Sequence, residues 1–255
     1  MRKPLLYLFA LLLTVGAAHA QTATQITAIV SAASGADILA PDSLVSIFGN
    51  NLTGPPPNAP FPIMVLIQPA SSATLVAKTF YVSATQINFV MPAATPIGTV
   101  RVEIVGPEII FGTAPVLIQP VAPALFSADL SGSGVAAALS LHVSLAGSFV
   151  SDPVPIFMCD AVLHCAAIPQ DVGIDTPLYF ELFGTGIRGR SSLSNVVVTI
   201  GGIPVQVLYA GPQLQFDGLD QINVAANLNL RGLGLTDIVV TVDGQVANRV
   251  QVRFL

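Results

Sequence analysis

The chain has 255 residues, with 9% charged and 53% hydrophobic side chains. Average globular proteins carry roughly a quarter charged residues, and this much apolar material excludes a disordered chain. Nine basic residues stand against fourteen acidic ones, which disfavours nucleic acid and anionic membranes as partners, because both demand many cations.

Residues 1–20 read as a secretion signal. Arg2 and Lys3 precede an apolar run from Leu5 to Val15, and Ala18-His19-Ala20 supplies the small residues of a cleavage site before Gln21. The run is about half the length needed to span a bilayer. Export to the periplasm, cell surface or medium is expected, with no membrane insertion after cleavage. Cleavage leaves seven basic residues, of which Lys78 is the sole lysine.

Beyond the signal, short runs alternate with period two: Leu44 to Phe48, Thr99 to Val105, Asn195 to Ile200, Val205 to Tyr209, Asp237 to Val242 and Val246 to Phe254. Gly, Pro or Asn breaks them every ten residues or so, the signature of sandwiches and barrels. Gly201-Gly202 and Asp243-Gly244 sit where two-residue hairpins need positive φ. Twenty prolines and twenty-one glycines argue against long helices. Gly134 to Leu145 also alternates and reads as a strand.

The chain repeats once. SLVSIFGNNLTG begins at Ser43 and LYFELFGTGIRG at Leu178, and Gln86-Ile87-Asn88-Phe89 recurs as Gln221-Ile222-Asn223-Val224. Phe48-Gly49 with Phe183-Gly184, Gly54 with Gly189, and the two Gln-Ile-Asn motifs all keep one offset, which marks a duplicated unit. The proline-rich stretch Gln119 to Ala124 marks the boundary and forms a stiff linker. The expected organisation is a signal peptide at 1–20, one β-sandwich over 21–120 and a second over 121–255. Residues 125–175 lack a counterpart in the first half and read as extra strands of the second unit.

In the first motif, Phe48 and Phe183 are expected to point into the core with Leu44 and Tyr179. Gly54 and Gly189 close the turn through positive φ or close backbone approach. In the second motif Ile87, Phe89, Ile222 and Val224 face inward. Gln86, Asn88, Gln221 and Asn223 face outward, either tying down loop backbone or forming a polar strip for sugar or peptide.

The Gly-x-x-Leu/Ile turn, the Gly-Gly hairpin and Asp-Gly before the last strand are similar to the immunoglobulin-like, plexin, transcription-factor domains (IPT/TIG). GTGIRGRSSLSNVVVTIGGIPVQVLYAGPQLQFDGLDQINV resembles a C-terminal domain of uncharacterised secreted proteins of Acidobacteria, of the Solibacter type. The resemblance is strongest over residues 177–255. It implies two tandem immunoglobulin-like sandwiches and export, and it implies no catalytic activity or ligand. IPT domains elsewhere serve adhesion, receptor ectodomains, polysaccharide enzymes and DNA-binding factors, the last disfavoured here by the acidic charge.

Candidate chemistry is sparse. Cys159 and Cys165 read as a disulfide hairpin around an Asp160 to His164 turn. The alternative is a metal site of Cys159, His164 and Cys165, which lacks a fourth ligand and puts adjacent residues on opposite faces. His142 and His164 are the histidines available to a catalytic triad, and no Gly-x-Ser-x-Gly elbow occurs. Asp217 and Asp220 are the best-placed carboxylate pair for glycoside hydrolysis or calcium, though Asp217-Gly218 is an ordinary turn dipeptide and the calcium-loop spacing is absent. Asn51-Leu52-Thr53 fits a glycosylation sequon, with Asn51 otherwise serving the turn. Arg188 and Arg190 could grip an acidic sugar or carboxylate, or pair with acids of their own unit.

No catalytic residue, metal or cofactor is therefore assigned. The reading is a non-catalytic binding or structural module contacting a protein or polysaccharide of the envelope or extracellular space. The alternative is an accessory module or enzyme of polysaccharide degradation, which needs two carboxylates meeting in a cleft.

Overall fold

The computed structural model describes residues 24–53, 62–106, 110–143 and 153–255. The signal-like segment, Gly54 and Leu145 lie outside the described residues. Among the described residues every regular element is a strand, apart from two short 3₁₀ turns. The first half carries β1 (Gln25–Ser31), β2 (Ile38–Leu39), β3 (Leu44–Asn50), β4 (Met64–Pro69), β5 (Leu75–Val76), β6 (Lys78–Val82), β7 (Gln86–Val90), β8 (Gly98–Val105) and β9 (Ile110–Ile118). The second half continues with β10 (Ala124–Leu125), β11 (Ala138–His142), β12 (Val154–Pro155), β13 (Phe157–Cys159), β14 (Cys165–Ala167), β15 (Leu178–Thr185), β16 (Val196–Ile200), β17 (Ile203–Pro212), β18 (Asp220–Ala225), β19 (Leu235–Val242), β20 (Gln245–Val246) and β21 (Val250–Arg253).

In the first half, sheet β1-β3-β7-β6 faces sheet β2-β9-β8-β4-β5. All pairings are antiparallel except that of β2 with β9, which is parallel. This is the immunoglobulin arrangement: an ABED sheet over a GFC sheet, with a short A′ strand running along G. Strict alternation supplies the core. Val45, Ile47, Ile87 and Phe89 from one sheet meet Val65, Ile67, Val102 and Ile104 from the other, all fully buried. Each such side chain contributes roughly 1.5–3 kcal/mol by leaving water.

The second half repeats the plan with β11-β15-β18 facing β16-β19-β21. Strand β17 joins the two sheets: its start pairs with β16 and the rest with β18. It is the fused equivalent of β5 and β6. The two cores are separate clusters, one drawn from residues between Ile29 and Ile118, the other from residues between Val121 and Phe254.

The repeated motifs now have a cause. They lie on adjacent strands, Phe48 opposite Gln86 and Phe183 opposite Gln221. Their fixed separation therefore preserves one cross-strand register. Gly49 and Gly184 are needed for close approach: a Cβ would lie 2.2 Å from the carbonyl oxygen of Gln25 in the first case and 2.4 Å from that of Ala124 in the second. The buried side chains of Leu52 and Ile187 press on the same glycines. Gly189 serves likewise, its absent Cβ leaving room for the carbonyl oxygen of Pro120. The left-handed turn position is taken by Asn51 (φ 55°) in one unit and Gly186 (φ 72°) in the other. Gly201-Gly202 and Asp243-Gly244 all have positive φ, as their hairpins require.

Three expectations need correction. Phe48 and Phe183 do not enter the core. Val45 and Ile47, and likewise Phe180 and Leu182, take the inner face, leaving Phe48 40% exposed on the outer one. Both faces of β3 are apolar enough that alternation alone does not choose between them. Second, residues 125–175 are not wholly without a counterpart. Strand β1 pairs along β3 with a bulge between Ile26 and Ala28, and β10 with β11 pair along β15 in the same way, the bulge having grown into the excursion 126–137. Third, the strand read over Gly134 to Leu145 is regular over β11, preceded by single bridges at Val135 and Ala136.

Gly49→Ala and Gly184→Ala should each destabilise the protein by about 1–3 kcal/mol, as overpacking does. Urea unfolding of the two single variants is the check, and the equivalence of the sites predicts similar losses.

Candidate interaction groove between the units

The outer face of sheet β1-β3-β7-β6 carries Leu44, Ser46 and Phe48 on β3 beside Gln86 and Asn88 on β7. Gln86 Nε2 donates to Asn88 Oδ1 at 2.9 Å, and Ser46 Oγ donates to the same oxygen at 2.9 Å. The amides thus bond along their own strand face rather than tying down a loop. In the second unit Gln221 Nε2 donates to Asn223 Oδ1 at 2.7 Å in the same way. Strand β6 forms the open edge of this first sheet. A bulge between Thr79 and Tyr81 interrupts its pairing, and Phe80 stands 55% exposed at that point.

The second unit reaches over this face with two loops. One, following β10, brings Phe126 and Leu130; the other, between β17 and β18, brings Gln215, Phe216 and Asp217. Together with Phe48, Phe80, Gln86 and Asn88 they enclose an open groove of about 770 Å³ with mostly apolar walls. Phe216 is 66% exposed. Leu130 and Leu214 hold left-handed backbone, φ 62° and 76°, a conformation that is a small minority for residues other than glycine.

Three contacts fix the loop between β17 and β18 to the first unit. The fully buried Thr185 hydroxyl accepts from the Leu44 backbone N–H and donates to the Gly218 carbonyl, each at 2.8 Å. Gly218 (φ 78°) packs on Leu44, where a Cβ would lie 2.9 Å from the Leu44 side chain. At the rim Lys78 pairs with Asp217, and that hydrogen bond and charge hold the Asp217 carboxyl below the usual carboxylate range.

The remaining candidates lie elsewhere. Asp220 does not meet Asp217 as a carboxylate pair. It is fully buried, accepting from the Ile187 and Arg188 backbone N–H groups at 2.7 and 3.2 Å and from Arg188 Nε at 2.7 Å. Burial pushes its carboxyl above the usual range against the pull of Arg188. Arg188 also donates to the Leu219 carbonyl, and Arg190 Nε donates to the Ala210 carbonyl at 2.6 Å. Both arginines are thus engaged within their own unit. Cys159 and Cys165 are bonded as a disulfide across directly opposed positions of β13 and β14. His164 Nδ1 lies 3.0 Å from Asp160 Oδ2 in the hairpin turn. Sequence reading found the amide strip but not the groove, because the opposing wall comes from two separate loops distant in the chain, one of them more than a hundred residues away. The available signal was Leu214-Gln215-Phe216, two large apolar residues in a loop bounded by Gly-Pro and Asp-Gly.

No family model matches the sequence, and no curated protein does. Among solved structures the chain is similar to domains 5–6 of the S-layer protein SbsC. That match has 10% identity, covers 91% of this chain and 97% of the other, and has a TM-score of 0.30. It is also similar to the extracellular region of plexin A4, with 14% identity over 95% of this chain and 17% of that one, at a TM-score of 0.25. Superpositions this loose leave function to be argued from the groove.

Thr185→Val should remove both hydroxyl bonds, the one to the first unit and the one to the Gly218 loop, while keeping the side-chain shape, leaving a donor and an acceptor unpaired at about 1–3 kcal/mol. Hydrogen exchange should then quicken at the Leu44 amide and across residues 213–219. Asp220→Ala should destabilise by about 3–5 kcal/mol, because it strands the Arg188 guanidinium and two backbone donors. Urea unfolding reads that loss.

Proposed function

We propose that the protein is a non-catalytic extracellular interaction module that holds an apolar segment of a partner protein in the groove between its two units. The observation that carries this reading is the set of exposed phenylalanines, Phe48, Phe80 and Phe216, around one concavity. Aromatic side chains left open to water in a contiguous patch are the usual anchors of protein interfaces. A few convergent polar groups then orient the occupant. Among the described residues none takes up Asn88 Nδ2 or Gln86 Oε1, so a donor and an acceptor face the groove together, as a peptide backbone requires.

Two further observations support a non-catalytic role outside the cytoplasm. Asp217 is the one carboxylate among the residues lining the groove, and it is paired with Lys78. Glycoside hydrolysis needs two acids across the bond. The disulfide and the signal-like segment fit an oxidising compartment.

A random peptide library displayed on phage and selected on the purified protein tests the reading. Peptides rich in apolar residues should be retained, and Phe80→Glu with Phe216→Glu should weaken their binding at least tenfold without changing the thermal midpoint. Retention insensitive to those substitutions would remove the groove from the function. A glycan array in parallel separates the alternative: glycan binding lost in the same variant would replace the protein partner with a polysaccharide.

A further inference from the structure

The phenylalanines and amides of the groove stand on a sheet face, but its rim at Phe80 is a sheet edge. Strand β6 pairs with β7 alone, so alternate residues along it turn their backbone N–H and C=O away from the sheet. The register places Val82 among these. Tyr81 stands opposite Asn88 and Val82 opposite Ile87, and the N–H of the next residue, Ser83, turns back to donate to the Gln86 carbonyl. Val82 therefore directs one donor and one acceptor outward. Among the described residues no group takes up either, and Val82 is 40% exposed.

The second unit has a closed edge at the same place. Ala210 is the counterpart of Val82, opposite Ile222 on β18 as Val82 is opposite Ile87 on β7. Its outward carbonyl accepts from Arg190 Nε at 2.6 Å, and Ala210 is fully buried. At the next outward position Pro212 has no N–H to offer, and its carbonyl accepts from the Tyr209 hydroxyl at 2.6 Å. Tyr209 is thereby folded back along its own strand. Its counterpart Tyr81 is exposed, as is Phe80 beside it. One unit closes this edge with a guanidinium, a proline and a phenol. The other leaves it open and flanks it with Phe80, Tyr81 and Val82.

An outward N–H and C=O on one residue call for another backbone in extended form, and the exposed apolar side chains around them call for apolar residues at alternate positions. The bulge at Phe80 selects among such backbones. A bulge bends and twists an edge, which spoils the flat geometry that two like folded edges need to pair. A segment without fixed structure follows the twist. Tyr81 shares a sheet face with Asn88, and Phe80 lines the groove, so one set of alternate side chains on an added strand lies along the groove's rim.

Resting on the reading of the groove as a binding surface for a partner protein, we propose that the partner's segment binds in extended conformation as a fifth strand of sheet β1-β3-β7-β6. It pairs with β6 at Val82 and sets alternate apolar side chains against Phe80 and Tyr81.

Amide hydrogen exchange of the full protein, alone and saturated with the tightest peptide from the phage selection, tests this. In the free protein the Val82 amide should exchange fast and the Ser83 amide slowly. Bound peptide should slow Val82 by about tenfold or more, as a new backbone bond does. Methylating the peptide's backbone nitrogens one at a time should weaken binding by about tenfold at every second position and little at those between, because alternate N–H groups face β6. Val82→Pro removes the outward N–H while sparing the bonds to β7, and should weaken the peptide severalfold.

A peptide that binds while Val82 stays fast, with no period of two in the methylation series, would be held by its side chains alone; strand addition then falls and the groove reading stands. A Val82 amide that is slow in concentrated protein without peptide and quickens on dilution would make a second copy the occupant, and overturns the proposal. If no peptide binds, both readings fall.

Discussion

Ile47 stands opposite Ile87, and Leu182 opposite Ile222, on neighbouring strands. All four are buried to within about a hundredth of their surface. A slip of one residue in either pairing would turn these side chains outward and bring Gln86 or Gln221 inward, because the strand period is two. That register therefore sets everything downstream: which residues fill each core, which face carries the amides, and which phenylalanine is left in water. The glycines at Gly49 and Gly184 guard it from the far side. They let the backbone of β1 or β10 come close enough that neither strand can shift without a steric clash.

The class of fold and the duplication were legible in the sequence because each rests on repetition along the chain, at a period of two in the strands and at one fixed offset between the halves. The Gly-Gly and Asp-Gly hairpins were legible too, since φ is a property of one residue. The side chosen by Phe48 was not. Leu44, Ser46 and Phe48 are little less apolar than Val45 and Ile47, so the choice falls to what lies across the sandwich, where Val65, Ile67 and Val102 meet the second set. The fate of Arg188 was half legible. Its charge suggested a partner among nearby acids, but that the partner is the wholly buried Asp220 depends on a turn folding back across thirty-two residues. The equivalence of β1 with β10 and β11 was hidden by the excursion 126–137, which breaks the constant offset on which repeat detection depends.

The groove belongs to a different level again. One of its walls lies on the repeated motifs, but the wall that faces it belongs to none. One wall is the outer face of an ordinary sheet, and the other is two loops, one of which the fully buried Thr185 hydroxyl holds against the first unit by bonding to both. A hydroxyl so placed must satisfy both partners or leave them unpaired in a dry setting. Together with the packing of Gly218 on Leu44 and the Lys78–Asp217 pair, this side chain ties the units at this point, and the shape of that part of the groove follows.

Comparison of equivalent positions separates scaffold from speciality. The amide pair is the same in both units, Gln86 and Asn88 against Gln221 and Asn223, and bonds internally in both. Its recurrence argues that it stabilises the pleated face wherever that face occurs. The neighbours of the pair differ. Ser46 is matched by Glu181, Leu44 by Tyr179, Lys78 by Gln206, and Phe80 by Leu208 at the same bulge. The first unit has thus acquired an apolar, aromatic face with a single cation at its edge, and that cation meets Asp217 from the other unit. Duplication supplied two copies of one surface; the substitutions around the amides, and the loops that overhang only the first copy, made one of them a groove.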